Sequence, residues 1–177
     1  MPPPLPSPAV LAHTPQLGTE RRDGAFIFCR PFHTHALAMP APHVTVTRRL
    51  MFSAAHRVHN PALSDEENAR IFGKCNNPNW HGHNYTLDVS VRGPIDERTG
   101  YVFDLGALKR LVEEQAVNKI DHRNFNLDVD FMRGVIPTSE NIIVAIWREL
   151  EPAIHPARLV RLVLWETANN YVEYTGD

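Results

Sequence analysis

Gly73-Lys74-Cys75-Asn76-Asn77-Pro78-Asn79-Trp80-His81-Gly82-His83-Asn84-Tyr85 leads directly into Thr86-Leu87-Asp88-Val89-Ser90-Val91. From Asn84 to Val91 the chain alternates. Tyr85, Leu87, Val89 and Val91 share one side and Thr86, Asp88 and Ser90 the other, the pattern of a strand covered on a single face. Gly93-Pro94 ends it. The same two-residue period places His81 and His83 on a common side with only Gly82 between them. Two imidazoles held together in this way are the usual beginning of a transition-metal site. Cys75, six residues before His81, is close enough in sequence to join them or to work beside them.

Outward from that stretch the chain remains orderly in both directions. Val44 to Phe52 alternates well enough for a first strand, with Arg48 interrupting its apolar side. Ser64-Asp65-Glu66-Glu67 is a capping box opening a short helix that Gly73 can close. Asp104 caps a helix carrying Leu105, Leu108, Leu111, Val112 and Gln115, an amphipathic stripe. Thr138 or Ser139 caps another, with Ile142, Ile143, Ile146, Trp147 and Leu150 at helical spacing. Leu159 to Trp165 is strand-like and apolar on both sides. Asn169-Asn170 suits the positive φ of a tight turn, and Tyr171 to Tyr174 returns as the last strand. The expected order is ββααββ: an α+β layer in which a four-stranded antiparallel sheet carries two helices on one face. Such a sheet has two open edges, which neighbouring subunits can close.

Bulk properties bound the remainder. The chain has 177 residues, 43% of them hydrophobic, enough for one well-packed domain. A formal net charge of −2 leaves no basic footprint for nucleic acid and no strong field for a membrane surface. No apolar run approaches the ~18 residues that a bilayer span requires. The two cysteines, Cys29 and Cys75, make no disulfide framework, so a reducing cytoplasm is expected. Residues 1–43 read as a Pro-rich, disordered leader, with Pro2, Pro3, Pro4, Pro6, Pro8, Pro15, Pro31, Pro40 and Pro42 breaking any regular element. Met39 as the true start is favoured over a transit peptide. The folded domain is expected over 44–177.

Three features carry the chemistry. His56 ends the first strand, in Phe52-Ser53-Ala54-Ala55-His56-Arg57. If the first two strands pair as a hairpin with a long excursion, it faces His81 and His83. Three neutral imidazoles on one rigid sheet suit zinc and leave a fourth position for water or substrate. Cys75 has two readings: a fourth ligand closing a structural site, or a free thiol beside a dication, usable as a base at neutral pH. Asp121-His122 is either a charge pair at a helix C-terminus or a proton shuttle in which the carboxylate orients the ring. Glu166 follows the apolar Leu162-Val163-Leu164-Trp165. An unpaired carboxylate at a half-buried sheet end costs several kcal/mol. Either a ligand with two parallel N–H donors or a salt bridge to Arg161 would relieve it.

Phe52-Ser-Ala-Ala-His-Arg57, Phe72-Gly-Lys-Cys-Asn-Asn-Pro-Asn-Trp-His-Gly-His-Asn-Tyr85, Asp121-His-Arg-Asn124, Pro137-Thr-Ser-Glu-Asn141 and Glu166-Thr-Ala-Asn-Asn170 together closely resemble the 6-pyruvoyl tetrahydropterin synthase family. The resemblance covers the chain from about Val44 to its end. It implies that His56, His81 and His83 hold zinc (Zn2+) and that Cys75 is the catalytic base, not a ligand. Asp121 and His122 then return protons. Glu166 anchors the pterin through its guanidine-like edge, and Thr138, Ser139 and Glu140 line the pterin pocket. The implied fold is the tunnelling fold (T-fold): trimers form a twelve-stranded barrel and stack as a homohexamer with active sites between subunits. The implied reaction is a lyase step from 7,8-dihydroneopterin triphosphate to 6-pyruvoyl tetrahydropterin, on the route to tetrahydrobiopterin.

The related 6-carboxytetrahydropterin synthases, on the path to queuosine, share the fold and most of the site. Many place the cysteine only four residues before the paired histidines, so the offset of six favours the pyruvoyl product. Phe103-Asp104-Leu105, common in bacterial members, points the other way. Trp80 also departs from the family pattern, standing where a small residue, often Gly, is expected. A non-catalytic zinc scaffold, closed by Cys75, is the remaining alternative.

Overall fold

The computed structural model describes residues 41–177. The leader reading, and with it the choice of Met39 as a start, falls outside these residues except for 41–43. The backbone of the fold is a long antiparallel hairpin. β1 (His43–His56) and β2 (His81–Pro94) pair along their whole length, from His43 opposite Pro94 to His56 opposite His81. Beyond the clearly alternating spans, 44–52 and 84–91, the strands run on to the histidines expected at their ends, His56 closing β1 and His81 opening β2. Ser53-Ala54-Ala55 and Gly82 carry no bulky alternation for the eye to follow, yet their small side chains suit close backbone pairing.

β4 (Arg158–Trp165) pairs antiparallel with β2, and β5 (Tyr171–Tyr174) with β4. The four-stranded antiparallel expectation needs one correction. β3 (Arg123–Asn124) adds a parallel fifth strand beside Ala54 and Ala55, giving the order β3-β1-β2-β4-β5 and a mixed sheet. Two residues have no period to read. Their pairing is imposed by neighbouring bonds to the β1 edge: His122 N–H to the Ser53 carbonyl at 2.6 Å and Phe125 N–H to the Ala55 carbonyl at 2.9 Å.

The β4–β5 connection also differs from expectation. It spans Glu166–Asn170, and neither Asn169 nor Asn170 takes a positive φ. The loop closes instead through Thr167, whose Oγ1 accepts from the N–H groups of Asn169 (3.2 Å) and Asn170 (3.1 Å).

The helices start where their caps predict. α1 (Asp65–Phe72) lies in the excursion between β1 and β2 behind the Ser64–Glu67 capping box, and it ends at Gly73, whose φ of 52° favours glycine. α2 (Leu105–Val112) is capped by Asp104 and continues through a π turn (Glu113–Val117) into α3 (Asn118–Ile120). α4 (Ser139–Leu150) is capped by Thr138.

Leu50, Phe52, Tyr85, Leu87, Val89, Leu162 and Leu164 form one core with Leu108, Val112, Ala116, Ile142, Ile146 and Leu150. Burying each such side chain contributes about 1.5–3 kcal/mol against chain entropy. The other side of the sheet is polar. Arg49 grips Asp88 with two bonds of 2.6 and 2.7 Å, Thr47 meets Ser90 at 2.8 Å, and Arg161 meets Glu173 at 2.6 Å.

Gly82 lies close against the facing strand. A Cβ there would stand 3.0 Å from the Ala54 carbonyl oxygen. Gly82→Ala is therefore expected to destabilise the protein by about 1–3 kcal/mol, read as a lowered urea midpoint. An unchanged midpoint would show that the strands separate there without strain.

Candidate active site

The hairpin delivers the three histidines. His56 is the last residue of β1 and His81, opposite it, the first of β2; His83 follows on the same side. Ring centroids lie 4.3 Å apart for His56–His81, 5.1 Å for His81–His83 and 5.2 Å for His56–His83. His56 Nδ1 is 2.8 Å from the Pro137 carbonyl oxygen. A carbonyl can only accept, so Nδ1 carries the proton and Nε2 keeps its lone pair.

His56 Nε2, His81 Nδ1 and His83 Nε2 are all buried without a hydrogen-bond partner. One nitrogen from each ring lies within 4.8 Å of the others. Burial pushes all three imidazoles below their usual value, which keeps them neutral at pH 7. Converging buried lone pairs with no donor between them are unfavourable until a cation occupies the centre. The donor set fits a metal ion. Among the described residues it is the one such cluster, and neither Cys75 nor Glu166 belongs to it.

Glu166 faces this centre. Its Oε1 stands 3.7 Å from both His56 Nε2 and His83 Nε2. The salt bridge to Arg161 does not form, because Arg161 is engaged by Glu173. Cys75 is exposed and free. It rides on the 3-10 turn Gly73–Asn76 that follows α1, and its carbonyl accepts the Val58 N–H at 2.9 Å. Asn76, buried, fastens that turn to the strand extension: its Oδ1 takes Arg57 Nε at 3.0 Å and meets His59 Nδ1 at 3.0 Å. Thr138 is occupied as the α4 cap, whereas the Ser139 hydroxyl is buried and unpartnered.

A cleft of about 330 Å³ brings His56, Cys75, Thr138, Ser139, Glu140 and Glu166 together, with Val58, Asn170, Tyr171 and Val172 completing its wall. Asp121 and His122 do not line it. His122 lines a second cleft, of about 530 Å³, with His83, Arg123, Asn124 and Asp128. Asp121 Oδ1 accepts the Ser53 N–H at 2.8 Å and lies 3.0 Å from His122 Nδ1. The Ser53 bond, chiefly, holds the Asp121 carboxyl below the usual range. The metal cluster thus lies between two openings, with His56 on one and His83 on the other.

Some participants were not visible in the sequence. Tyr85 reads as core, but its ring packs on His83 (5.5 Å) and His56 (6.3 Å), and its hydroxyl is buried without a partner. Asn170 and Tyr171 read only as hairpin residues. Trp80, in contrast, was flagged. Its φ of 67° is a conformation that glycine adopts freely and that costs a bulky residue about 1–2 kcal/mol.

A pH dependence follows from the buried rings. With their pKa lowered on folding, the unfolded chain binds more protons than the folded one below the usual imidazole value, so stability rises with pH there. The metal-free protein is expected to lose stability as pH falls from 7 to 5, and bound metal to be released over the same interval. Thermal melts of the chelated protein against pH, with metal content by mass spectrometry, check both. A melting temperature that stays level from pH 7 to 5 would contradict the burial of these rings.

The family model described as 6-pyruvoyl tetrahydropterin synthase matches residues 45–177. The human protein named 6-pyruvoyl tetrahydrobiopterin synthase is 46% identical over 132 residues, 75% of this chain and 91% of that one. The Drosophila melanogaster protein of the same name is 43% identical over 136 residues, 76% of this chain and 81% of that one. The solved structure of Caenorhabditis elegans 6-pyruvoyl tetrahydropterin synthase superposes with a TM-score of 0.74 at 41% identity, covering 78% of this chain and 99% of that one. The chain belongs to the 6-pyruvoyl tetrahydropterin synthase family.

Proposed function

We propose that this protein is a zinc-dependent lyase that converts 7,8-dihydroneopterin triphosphate to 6-pyruvoyl tetrahydropterin with loss of triphosphate. The observation that carries the reading is a three-imidazole centre whose His56 lines one cleft with a thiol outside the ligand set, Cys75, and with Glu166, a carboxylate that among the described residues has no Lys or Arg partner. Zinc suits three neutral nitrogen donors; when bound, it would supply Lewis acidity toward the side-chain oxygens of the substrate. Cys75 takes the proton from the neighbouring C–H, and the triphosphate departs. Glu166 accepts the paired N–H donors of the pterin, and Thr138, Ser139 and Glu140 line the pocket that receives it. Oxidation and reduction balance within the substrate, so no redox cofactor is required.

Asp121–His122 returns protons, and in this reading it does so across a subunit boundary, since within one chain His122 opens on the other cleft. Open sheet edges support that assembly. Among the described residues the β1 edge is paired by β3 only at Ala54 and Ala55, which leaves the rest for a neighbouring strand. The assembly proposed, from the family resemblance, is a barrel of trimers stacked as a hexamer. No helix among the described residues is long and apolar enough to cross a membrane, and a free exposed thiol suits a cytoplasmic enzyme. The 6-carboxy product is not favoured, because the relatives matched over three quarters of the chain carry the pyruvoyl name.

Incubating the zinc-loaded protein with 7,8-dihydroneopterin triphosphate and identifying products by mass spectrometry tests the assignment. Release of triphosphate with 6-pyruvoyl tetrahydropterin is expected; acetaldehyde and a 6-carboxy pterin would overturn it. Cys75→Ala is expected to keep its zinc and lose turnover by roughly 10²–10⁴-fold. Loss of zinc in that variant would instead make the thiol a ligand and the site structural.

A further inference from the structure

Tyr85 is 0% exposed, and its hydroxyl has no hydrogen-bond partner among the described residues. The ring is fully engaged: it stacks on Phe52 at 5.0 Å and 16°, meets Phe125 edge-on at 5.9 Å, and lies against His83 and His56. Packing alone asks for phenylalanine here. A buried hydroxyl left unpaired destabilises a fold in a way that the isosteric Phe would not. The oxygen is therefore kept for a partner that the polypeptide does not itself provide.

The surroundings identify that partner. The hydroxyl is enclosed to the same degree as the three ligand nitrogens, His56 Nε2, His81 Nδ1 and His83 Nε2, each likewise unpaired. The Tyr85 ring centroid lies 5.5 Å from that of His83 and 6.3 Å from that of His56. A phenol is a hydrogen-bond donor at neutral pH.

We propose that the Tyr85 hydroxyl donates a hydrogen bond to the substrate oxygen that occupies the open position of the three-histidine centre. This rests on the lyase reading above and adds a substrate-contacting residue to it. Negative charge grows on that oxygen as the adjacent C–H loses its proton, so the bond strengthens towards the transition state. Its loss then falls on kcat more than on KM.

The test is Tyr85→Phe in the full chain, with zinc content, kcat and KM, melting temperature before and after chelation, and the visible spectrum of the cobalt-substituted form. Expected are full metal content, a melting temperature equal to or above that of the unsubstituted protein, and kcat lower by roughly 10²-fold with KM little changed. In the cobalt form, the band shift on adding 7,8-dihydroneopterin triphosphate should be altered by the substitution. A kcat within about twofold of the unsubstituted protein (below the ~10²-fold expected for a lost donor) overturns the proposal. So does a joint fall of melting temperature, metal content and rate, which would make Tyr85 a structural prop. If the unsubstituted protein forms no product, the lyase reading fails instead. The cobalt spectra still decide on Tyr85, because an identical substrate-induced shift in both proteins overturns the contact.

Discussion

The register of the β1–β2 hairpin is the constraint on which the site depends. His56 stands opposite His81, and the same ladder sets Phe52 opposite Tyr85 and Leu50 opposite Leu87. Side chains alternate with a period of two, so a slip by one residue would turn every member of this series to the other face. Core packing therefore enforces the geometry of the metal centre. The apolar pairs that the helices bury hold the imidazoles together at the end of the hairpin, and Gly82 lets the two backbones approach where they must.

Around that hairpin, polar groups divide into those that are satisfied and those that are not. Asn68, fully buried, is bonded through both ends of its amide, and Asn76 fastens the cysteine turn to the strand. Arg49–Asp88 and Arg161–Glu173 occupy one another on the polar side of the sheet. Among the described residues, most of the unpaired buried side-chain atoms lie elsewhere, the three histidine nitrogens and the Tyr85 and Ser139 hydroxyls among them. Five of these gather at the candidate active site. Unsatisfied groups destabilise a fold, and their concentration in one place marks where a ligand completes the structure.

The left-handed backbone at Trp80 and His122 belongs to the same pattern. Each residue borders a functional segment, one just before His81 and the other within the Asp121–His122 pair. His122 is held by its N–H bond to Ser53, which also receives the Asp121 carboxylate on its own N–H. Strained backbone persists where surrounding bonds over-determine it. Here those bonds tie the Asp121–His122 segment to the strand that ends in His56.

Much of this was legible without coordinates. The caps at Ser64, Asp104 and Thr138 act locally, through side chains that satisfy the first free N–H groups of a helix, so sequence alone reports them. The alternation from Tyr85 to Val91 and the H-x-H spacing are local too. Three matters were decided by contacts far apart in the chain. Pairing carried both hairpin strands through Ser53-Ala54-Ala55 and Gly82, small residues that show no alternation of their own. Backbone bonds to Ser53 and Ala55 created β3 from two residues. Burial against the helices set which histidine nitrogens converge and left Cys75 outside their circle. Local chemistry determined the elements and the kinds of ligand; only the folded chain, by bringing distant segments within hydrogen-bonding reach, decided which of them meet.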